Sequence, residues 1–331
     1  MLTMREFEER GQSSRGQPLI ARVVYTQLTL YKSMDTNVPN SDYSAIIDFL
    51  RAVKKGEIKK VKKFLGSGNF NSTILVPGQD ECEDNDQPLW DDVEECGFTP
   101  LILACSNGKL KVVKLLVEAG ADIEQTRYNS DEDLTPIHFA ASLEILEYLL
   151  AQGADINATD LMGNSLINRV ISRGDNTWAS FLINRGADPT IVVDTGWGGG
   201  YDAVENAIEK KNYLILKKIF DNGVDLKPYL AALASQGLVE FVAEALAQCK
   251  LQINHKEINS ALFRAAEHGH APIVKMLIQN GADVNTKDYE EGELELCWND
   301  YEATEITPLA IANKKAHVEV INILIAAGAR N

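Results

Sequence analysis

The sequence lacks the features of a membrane or secreted protein. No stretch approaches the roughly 18 consecutive apolar residues of a membrane span. The first residues, MLTMREFEER, are polar and acidic, unlike a secretory signal. Only five cysteines are present, without the spacing of a disulfide framework. These features predict a protein of a reducing environment, and we expect it in the cytoplasm, with delivery into a host cell left open.

The sequence also lacks the spacing that protein metal sites require. Cys82, Cys96 and Cys297 belong to no Cys-x-x-Cys pair and have no histidine close by in the sequence, whereas zinc needs four such ligands. The acidic run that begins at Asp80 has Asn85 at its sixth position, where a calcium-binding EF-hand loop needs glycine. We therefore expect no metal site.

Catalytic motifs are missing as well. The glycine-rich run 196–200 has no Gly-Lys-Ser/Thr after it, so it does not predict a phosphate loop. No serine, histidine and aspartate, or cysteine and histidine, follow a catalytic pattern. Four histidines fall near predicted helix starts or reversals and are expected to bond backbone groups: His138, His268, His270 and His317. We expect no catalytic residue, no cofactor and no enzyme activity.

Basic residues are absent from two stretches that carry much acid. Residues 80–95 hold nine aspartates and glutamates, residues 288–305 hold eight, and neither stretch has a lysine or arginine. Together they account for the whole net charge of −16. Between the carboxylates stand Trp90, Tyr289, Trp298 and Tyr301. Aromatic residues often carry interface energy, and acids steer a basic partner.

What the sequence does contain is a repeated helical unit, clearest in residues 97–124. Thr99 can cap a helix that starts at Pro100, where no amide donor is needed. Asn107-Gly108 reverses the chain, and apolar residues then return at helical spacing as far as Gly120, a glycine suited to a left-handed helix end. A single helical hairpin cannot bury its apolar faces, so recurrence is expected.

The unit recurs along the chain. Gly-Ala-Asp follows at 153, 186 and 281, and Thr-Pro openings stand at 135 and 307. The capping position is predicted at Thr99, Ser165, Asp202, Ser260 and Thr307. This pattern resembles the ankyrin repeat, whose signature is T-P-L-H-x-A with a period of about 33 residues.

The resemblance implies an all-α ankyrin-repeat solenoid of about eight helix-turn-helix repeats with β-hairpin or loop fingers and two long acidic insertions. The domain is predicted over residues 41–331, with repeats at about 43–69, 97–124, 133–157, 163–190, 200–226, 227–254, 259–287 and 305–331. The third repeat lacks the usual turn, so a tighter hairpin is expected there. Residues 1–40 are unassigned, and Met1, Met4 and Met34 all remain possible starts.

In that family, inner helices and finger tips line a concave surface that binds proteins. We therefore expect a monomeric, non-enzymatic protein-interaction module whose partner is a basic protein, without nucleic acid or membrane. The expected partner-binding residues are Trp90, Asp91, Asp92, Glu94, Glu95, Trp197, Tyr289, Glu291, Glu293, Trp298, Asp300 and Tyr301.

Several alternatives stay open. The protein could instead be an acidic inhibitor or immunity-type protein that mimics nucleic acid and blocks a basic cleft. The acidic stretches could also be solvated loops, or the first could fold back on the lysines of the first repeat. Those lysines are interpreted as a solvent-exposed helix face, and the alternative is a patch that binds nucleic acid. They are Lys54, Lys55, Lys59, Lys60, Lys62 and Lys63.

Overall fold

The structure is a computed structural model that describes residues 40–67, 97–127, 133–194, 200–248, 255–288 and 305–330. It divides into two compact units, residues 1–122 and 123–331. Both are built from short helices that come in antiparallel pairs. None of the described helices is both long and apolar enough to cross a bilayer.

The described residues of the first unit form two helix pairs. They are α1 (Asn40–Lys55), α2 (Ile58–Gly66), α3 (Pro100–Ser106) and α4 (Leu110–Glu118). Helix α1 packs on α3, and α2 packs on α4. The Thr99 hydroxyl accepts a hydrogen bond from the Ile102 amide (3.1 Å), so the predicted cap of α3 is confirmed. Because α3 packs against both α1 and α4, nearly all of its residues are buried, including Cys105.

The lysines of the first unit are mainly solvent-exposed. Lys55, Lys59, Lys62 and Lys63 are exposed, and Lys60 forms an ion pair with Glu57 at 2.6 Å. An exposed pair of this kind contributes little stability.

The second unit continues the helix pairs. Its helices are α5 (Leu143–Ala151), α6 (Leu166–Arg173), α7 (Asn176–Asn184), α8 (Ala203–Glu209), α9 (Tyr213–Asp221), α10 (Leu230–Ser235), α11 (Val239–Gln248), α12 (His255–Glu267), α13 (Ala271–Gln279), α14 (Pro308–Lys314) and α15 (Val318–Ala326). The first helices of the pairs pack side by side in the order α6, α8, α10, α12, α14. Apolar side chains from successive pairs fill the core between them.

The predicted caps are confirmed at three positions of the second unit and wrong at one. Ser165, Asp202 and Thr307 each accept a hydrogen bond from an amide in the first turn of the helix that follows. Ser260 instead lies inside α12, which begins five residues earlier at His255. Its hydroxyl donates to Asp288 Oδ2 at 3.1 Å. No glycine or proline in residues 255–259 stops the helix from extending toward its N-terminus.

The segment near residue 135 confirms the expected tighter hairpin. Residues Pro136–Phe139 form a single 3₁₀ turn where other pairs have an α-helix. Ser142 then caps α5 by accepting from the Ile145 amide at 3.4 Å. Because the chain reversal is short here, too few residues lie before Ser142 for a full α-helix, and they form a 3₁₀ turn instead. A second such turn, Lys227–Tyr229, precedes α10.

Strand structure is confined to the connections, as far as the described residues show. Strands β1 (Val193–Asp194) and β2 (Gly200–Tyr201) pair antiparallel, with Val193 opposite Tyr201. Asp288 and Ile306 form an isolated antiparallel bridge in which each amide donates to the other residue's carbonyl oxygen, at 3.1 and 3.0 Å. At both places the described residues on either side of the connection are paired through the backbone.

Candidate functional site

The β1–β2 hairpin places two exposed side chains at the edge of the second unit. Val192 is 58% exposed and Tyr201 is 39% exposed, although both are large and apolar or aromatic. A Cβ atom at Gly200 would lie 2.4 Å from Val192 Cγ1 and 2.8 Å from the Val193 carbonyl oxygen. The close pairing that presents Tyr201 therefore requires glycine at position 200.

The preceding connection, before α6, also presents apolar side chains to solvent. Asp160 is buried, and its Oδ1 accepts hydrogen bonds from the amides of Met162 (2.9 Å) and Asn164 (2.8 Å). The turn so formed leaves Leu161 and Met162 exposed by 59% and 54%. A buried carboxylate thus holds two hydrophobic residues in water, which is typical of a contact surface.

The bases of these two connections are joined. The side-chain oxygen of Asn157, in the first connection, accepts a hydrogen bond from the Asp188 amide, in the second, at 2.8 Å. Since α6 also packs against α8, the two connections are neighbours. Their exposed apolar residues belong to one edge of the second unit.

Helix α8 begins in a network centred on Asp202. Asp202 Oδ1 accepts from the Glu205 amide at 2.8 Å, and Glu205 Oε2 accepts from the Asp202 amide at 3.3 Å, which completes a capping box. The Tyr229 hydroxyl donates to Asp202 Oδ2 at 2.5 Å. Burial and this bond to a carboxylate raise the pKa of Tyr229. The network fixes the start of α8 relative to the next repeat unit.

A groove of about 420 Å³ lies beside this network. It crosses α6, α8 and α10, with Tyr201 of β2 at its side. Its lining residues are Ser172, Tyr201, Glu205, Asn206, Ile208, Glu209, Lys210, Ala232, Ser235 and Gln236. Asn206 ties the neighbouring helices together by donating to Asn168 Oδ1 (3.2 Å) and to the Ser172 hydroxyl. The groove is therefore formed by packed helices.

The groove is acidic along one wall. Glu205 and Glu209 are four residues apart on α8, so they share one face of the helix. Desolvation by burial, followed by the nearby charge of Asp202, raises the pKa of Glu205. In the described part of the chain, no lysine or arginine lies within ion-pair distance of either glutamate. The wall can accept a cation from outside.

The histidines bond backbone groups, as expected. His138 Nε2 contacts the Ala158 carbonyl oxygen (3.1 Å), His270 Nε2 that of Ser235 (2.8 Å), and His317 Nε2 that of Glu267 (2.9 Å). His268 differs, because its Nδ1 contacts the Arg264 carbonyl oxygen in α12, the helix that ends directly before it. These contacts join successive connections and helices, and they assign the histidines a structural role.

His138 makes the stability of the protein depend on pH. Burial lowers the pKa of His138 to about 4, below the ordinary value of 6.5. The unfolded chain therefore binds the proton more tightly. The stability from the neutral imidazole is complete above about pH 6.5 and is lost as the pH falls toward 4, by about 2 kcal/mol at pH 5.

Urea unfolding at pH 7.5 and pH 5 measures this loss. The His138→Gln variant, which has no group titrating there, should lose about 2 kcal/mol less between the two pH values than the original protein. Equal losses in both proteins would show that His138 is not the source.

No metal cluster was found in the described residues, where no three histidine, cysteine or acidic side chains are arranged to hold an ion. Cys105 is fully buried, and burial raises the pKa of its thiol, so it is unreactive as expected. Cys82, Cys96, Cys249 and Cys297 lie outside the described ranges.

The residues predicted to bind a partner all fall outside the part of the chain that the structure describes. They are Trp90, Asp91, Asp92, Glu94, Glu95, Trp197, Tyr289, Glu291, Glu293, Trp298, Asp300 and Tyr301. The described residues add a different set, which the sequence did not single out: Leu161, Met162, Val192, Tyr201, Glu205 and Glu209. The sequence does place Tyr201 directly before a predicted helix cap and the two glutamates at helical spacing after it, but it does not show that they line a groove.

Comparison with known proteins supports the repeat pattern. The family model for ankyrin repeats (3 copies) matches residues 49–160 and 204–288, more than half of the chain. The chain is 26% identical over 266 residues to the Ankyrin repeat and KH domain-containing protein CBG24701 of Caenorhabditis briggsae. That alignment covers 78% of this chain and 9% of the relative.

Two further relatives are equally distant. The Transient receptor potential cation channel subfamily A member 1 of Drosophila melanogaster is 27% identical over 263 residues, 70% of this chain and 20% of its own. The Nuclear factor NF-kappa-B p105 subunit of Gallus gallus is 26% identical over 226 residues, 66% of this chain and 19% of its own. The chain thus spans a fifth or less of the length of these relatives.

Proposed function

Because this chain belongs to the ankyrin repeat family, whose repeats are general protein-interaction modules, we propose that it is a non-enzymatic module that binds a basic protein. The partner contacts the face made by the first helices of the pairs and the adjoining connections. The proposal includes a monomer in the cytoplasm and about eight repeats within residues 41–331. We assign no function to residues 1–40 in this proposal.

The observation that carries this proposal is the edge formed by Leu161, Met162, Val192 and Tyr201. Each of these side chains is at least 39% exposed, and each lies in a connection fixed by hydrogen bonds or strand pairing. Exposing large hydrophobic side chains in fixed positions is unfavourable unless a partner covers them. The acidic groove beside Tyr201 favours a partner that carries positive charge.

The two acidic stretches extend this surface in our proposal. The bridge between Asp288 and Ile306 supports a finger-like insertion, because it joins the ends of the second acidic stretch by backbone hydrogen bonds. We propose that the aromatic residues Trp90, Trp197, Tyr289, Trp298 and Tyr301 contact the partner. The acids between them speed its approach: Asp91, Asp92, Glu94, Glu95, Glu291, Glu293 and Asp300.

The test compares variants of the full chain in recovering a partner identified by affinity purification. Changing Leu161, Met162 and Val192 to serine removes the apolar edge, and changing Trp90, Trp298 and Tyr301 to alanine tests the insertions. We expect each set to reduce recovery at least about tenfold, because buried interface anchors carry most of the binding energy.

The matched control changes three equally exposed hydrophobic residues elsewhere in the second unit to serine. Leu214, Val318 and Ile325 are 62%, 67% and 57% exposed. Recovery should stay unchanged in this control. A partner retained by both test variants, or lost equally in the control, would contradict the proposal.

A further inference from the structure

The groove between α6, α8 and α10 has a composition that indicates what kind of group it binds. Resting on the proposed function, we propose that it receives one arginine side chain from an extended segment of the partner protein. The groove is about 420 Å³ in volume. Sites for small molecules range from about 300 to 1,000 Å³, so the groove is large enough to hold a whole arginine side chain.

Charge is the first argument for a cation. Glu205 is half-buried, lies near Asp202 and shares its helix face with Glu209. The described residues supply neither glutamate with an ion-pair partner. A cation that enters the groove would relieve the repulsion between Glu205 and Asp202 and replace water lost on burial. Lys210 also lines the groove and would repel a cation. It is exposed, and its one positive charge is outnumbered by the two negative charges of Glu205 and Glu209.

The aromatic and polar lining is the second argument, and it favours arginine over lysine. Tyr201 lines the groove and is 39% exposed, and a planar guanidinium can stack on a tyrosine ring. Ser235, at the end of α10, and Gln236, directly after it, line the groove with side-chain oxygens that can accept hydrogen bonds. Arginine has five donors in a fixed plane and can bond several acceptors at once, whereas the lysine ammonium is a compact charge.

The experiment uses three synthetic peptides and the full chain. Acetyl-Gly-Gly-Arg-Gly-Gly-amide is the probe, the lysine peptide tests selectivity, and the citrulline peptide keeps the shape of arginine without its charge. Binding is measured at physiological salt by transverse-relaxation-optimised NMR on the deuterated, ¹⁵N-labelled protein. We expect the arginine peptide to shift the amides of Glu205, Asn206 and Ser235. It should bind at least about threefold more tightly than the lysine peptide, and the citrulline peptide should cause no shift at these amides.

Three single variants and one control locate the site. Glu205→Gln keeps the capping box, because glutamine can also accept from the Asp202 amide, and it removes the charge. Each of the three variants, Glu205→Gln, Glu209→Gln and Tyr201→Ala, should weaken binding of the arginine peptide about threefold to tenfold, as measured at the groove amides. Glu240→Gln on α11 removes an equally negative, exposed charge and should have no effect.

The outcomes separate this inference from the proposed function. Shifts that appear equally with lysine, or that survive Glu205→Gln and Glu209→Gln, indicate general attraction to an acidic protein and overturn the arginine site. If the peptides fail while the serine variants of the apolar edge still lose the partner, the inference falls and the proposed function stands. If the peptides fail to bind and the serine variants of the apolar edge still recover the partner, both the arginine site and the proposed function are overturned.

Discussion

The Asp202→Ala variant should lose about 2–4 kcal/mol of the free energy of unfolding. The aspartate caps α8 through its bond from the Glu205 amide, and such a cap contributes about 1 kcal/mol. It also accepts the hydrogen bond of the buried Tyr229 hydroxyl, and leaving that donor unpaired costs about 1–3 kcal/mol. Urea unfolding followed by far-ultraviolet circular dichroism measures the loss.

Two companion variants separate these contributions. Asp202→Asn retains a capping oxygen and a polar group facing Tyr229, so its loss should be well under that of alanine. In a Tyr229→Phe background, Asp202→Ala should cost only the cap, about 1 kcal/mol. If alanine at position 202 cost the same in both backgrounds, the bond to Tyr229 would not be a source of stability.

The Gly237→Ala variant should lose about 2–5 kcal/mol. Gly237 has φ of +73°, a left-handed conformation that costs a residue with a Cβ about 1–2 kcal/mol. The added Cβ would also lie 2.6 Å from His270 Cε1 and 2.8 Å from its Nδ1. The ring cannot simply move aside, because its Nε2 is 2.8 Å from the Ser235 carbonyl oxygen. Overpacking adds about 1–3 kcal/mol.

Gly186→Ala is the matched control for this prediction. Gly186 has φ of +86°, and a Cβ there would meet nothing within 4 Å, so only the cost of the backbone conformation, about 1–2 kcal/mol, is expected. In a His270→Ala background, Gly237→Ala should fall to the same value. Thermal or urea unfolding of the original protein, the three single variants and the double variant measures these losses, and equal losses for Gly186→Ala and Gly237→Ala would rule out the steric clash.

Features set by neighbouring residues were predictable from the sequence. Thr99, Ser165 and Thr307 cap helices, as expected from a hydroxyl placed before a short apolar run, and glycines 108, 120 and 186 take positive φ values. The histidine contacts with backbone carbonyls followed from positions near helix openings and reversals. The error at Ser260 shows the limit, because nothing local distinguishes a cap from a small residue inside a longer helix.

The groove could not be predicted, because it depends on how separate segments meet. Tyr201 comes from a strand, Glu205 from a helix and Gln236 from the turn after α10, and only packing makes them neighbours. The exposure of Leu161 and Met162 likewise depends on Asp160, whose carboxylate is buried beneath the turn. The sequence alone favours burying such apolar residues, so their solvent exposure becomes visible only in the folded unit.

The bridge between Asp288 and Ile306 has a consequence for how this part of the chain can vary. Two backbone hydrogen bonds join Asp288 and Ile306, the residues on either side of 289–305. Closing a loop between fixed ends costs only about 0.6 kcal/mol more for each doubling of its length. We therefore expect changes of length or sequence between these two residues to have little effect on the helices on either side. If the second acidic stretch contacts the partner as proposed, such changes alter recognition while the scaffold stays the same.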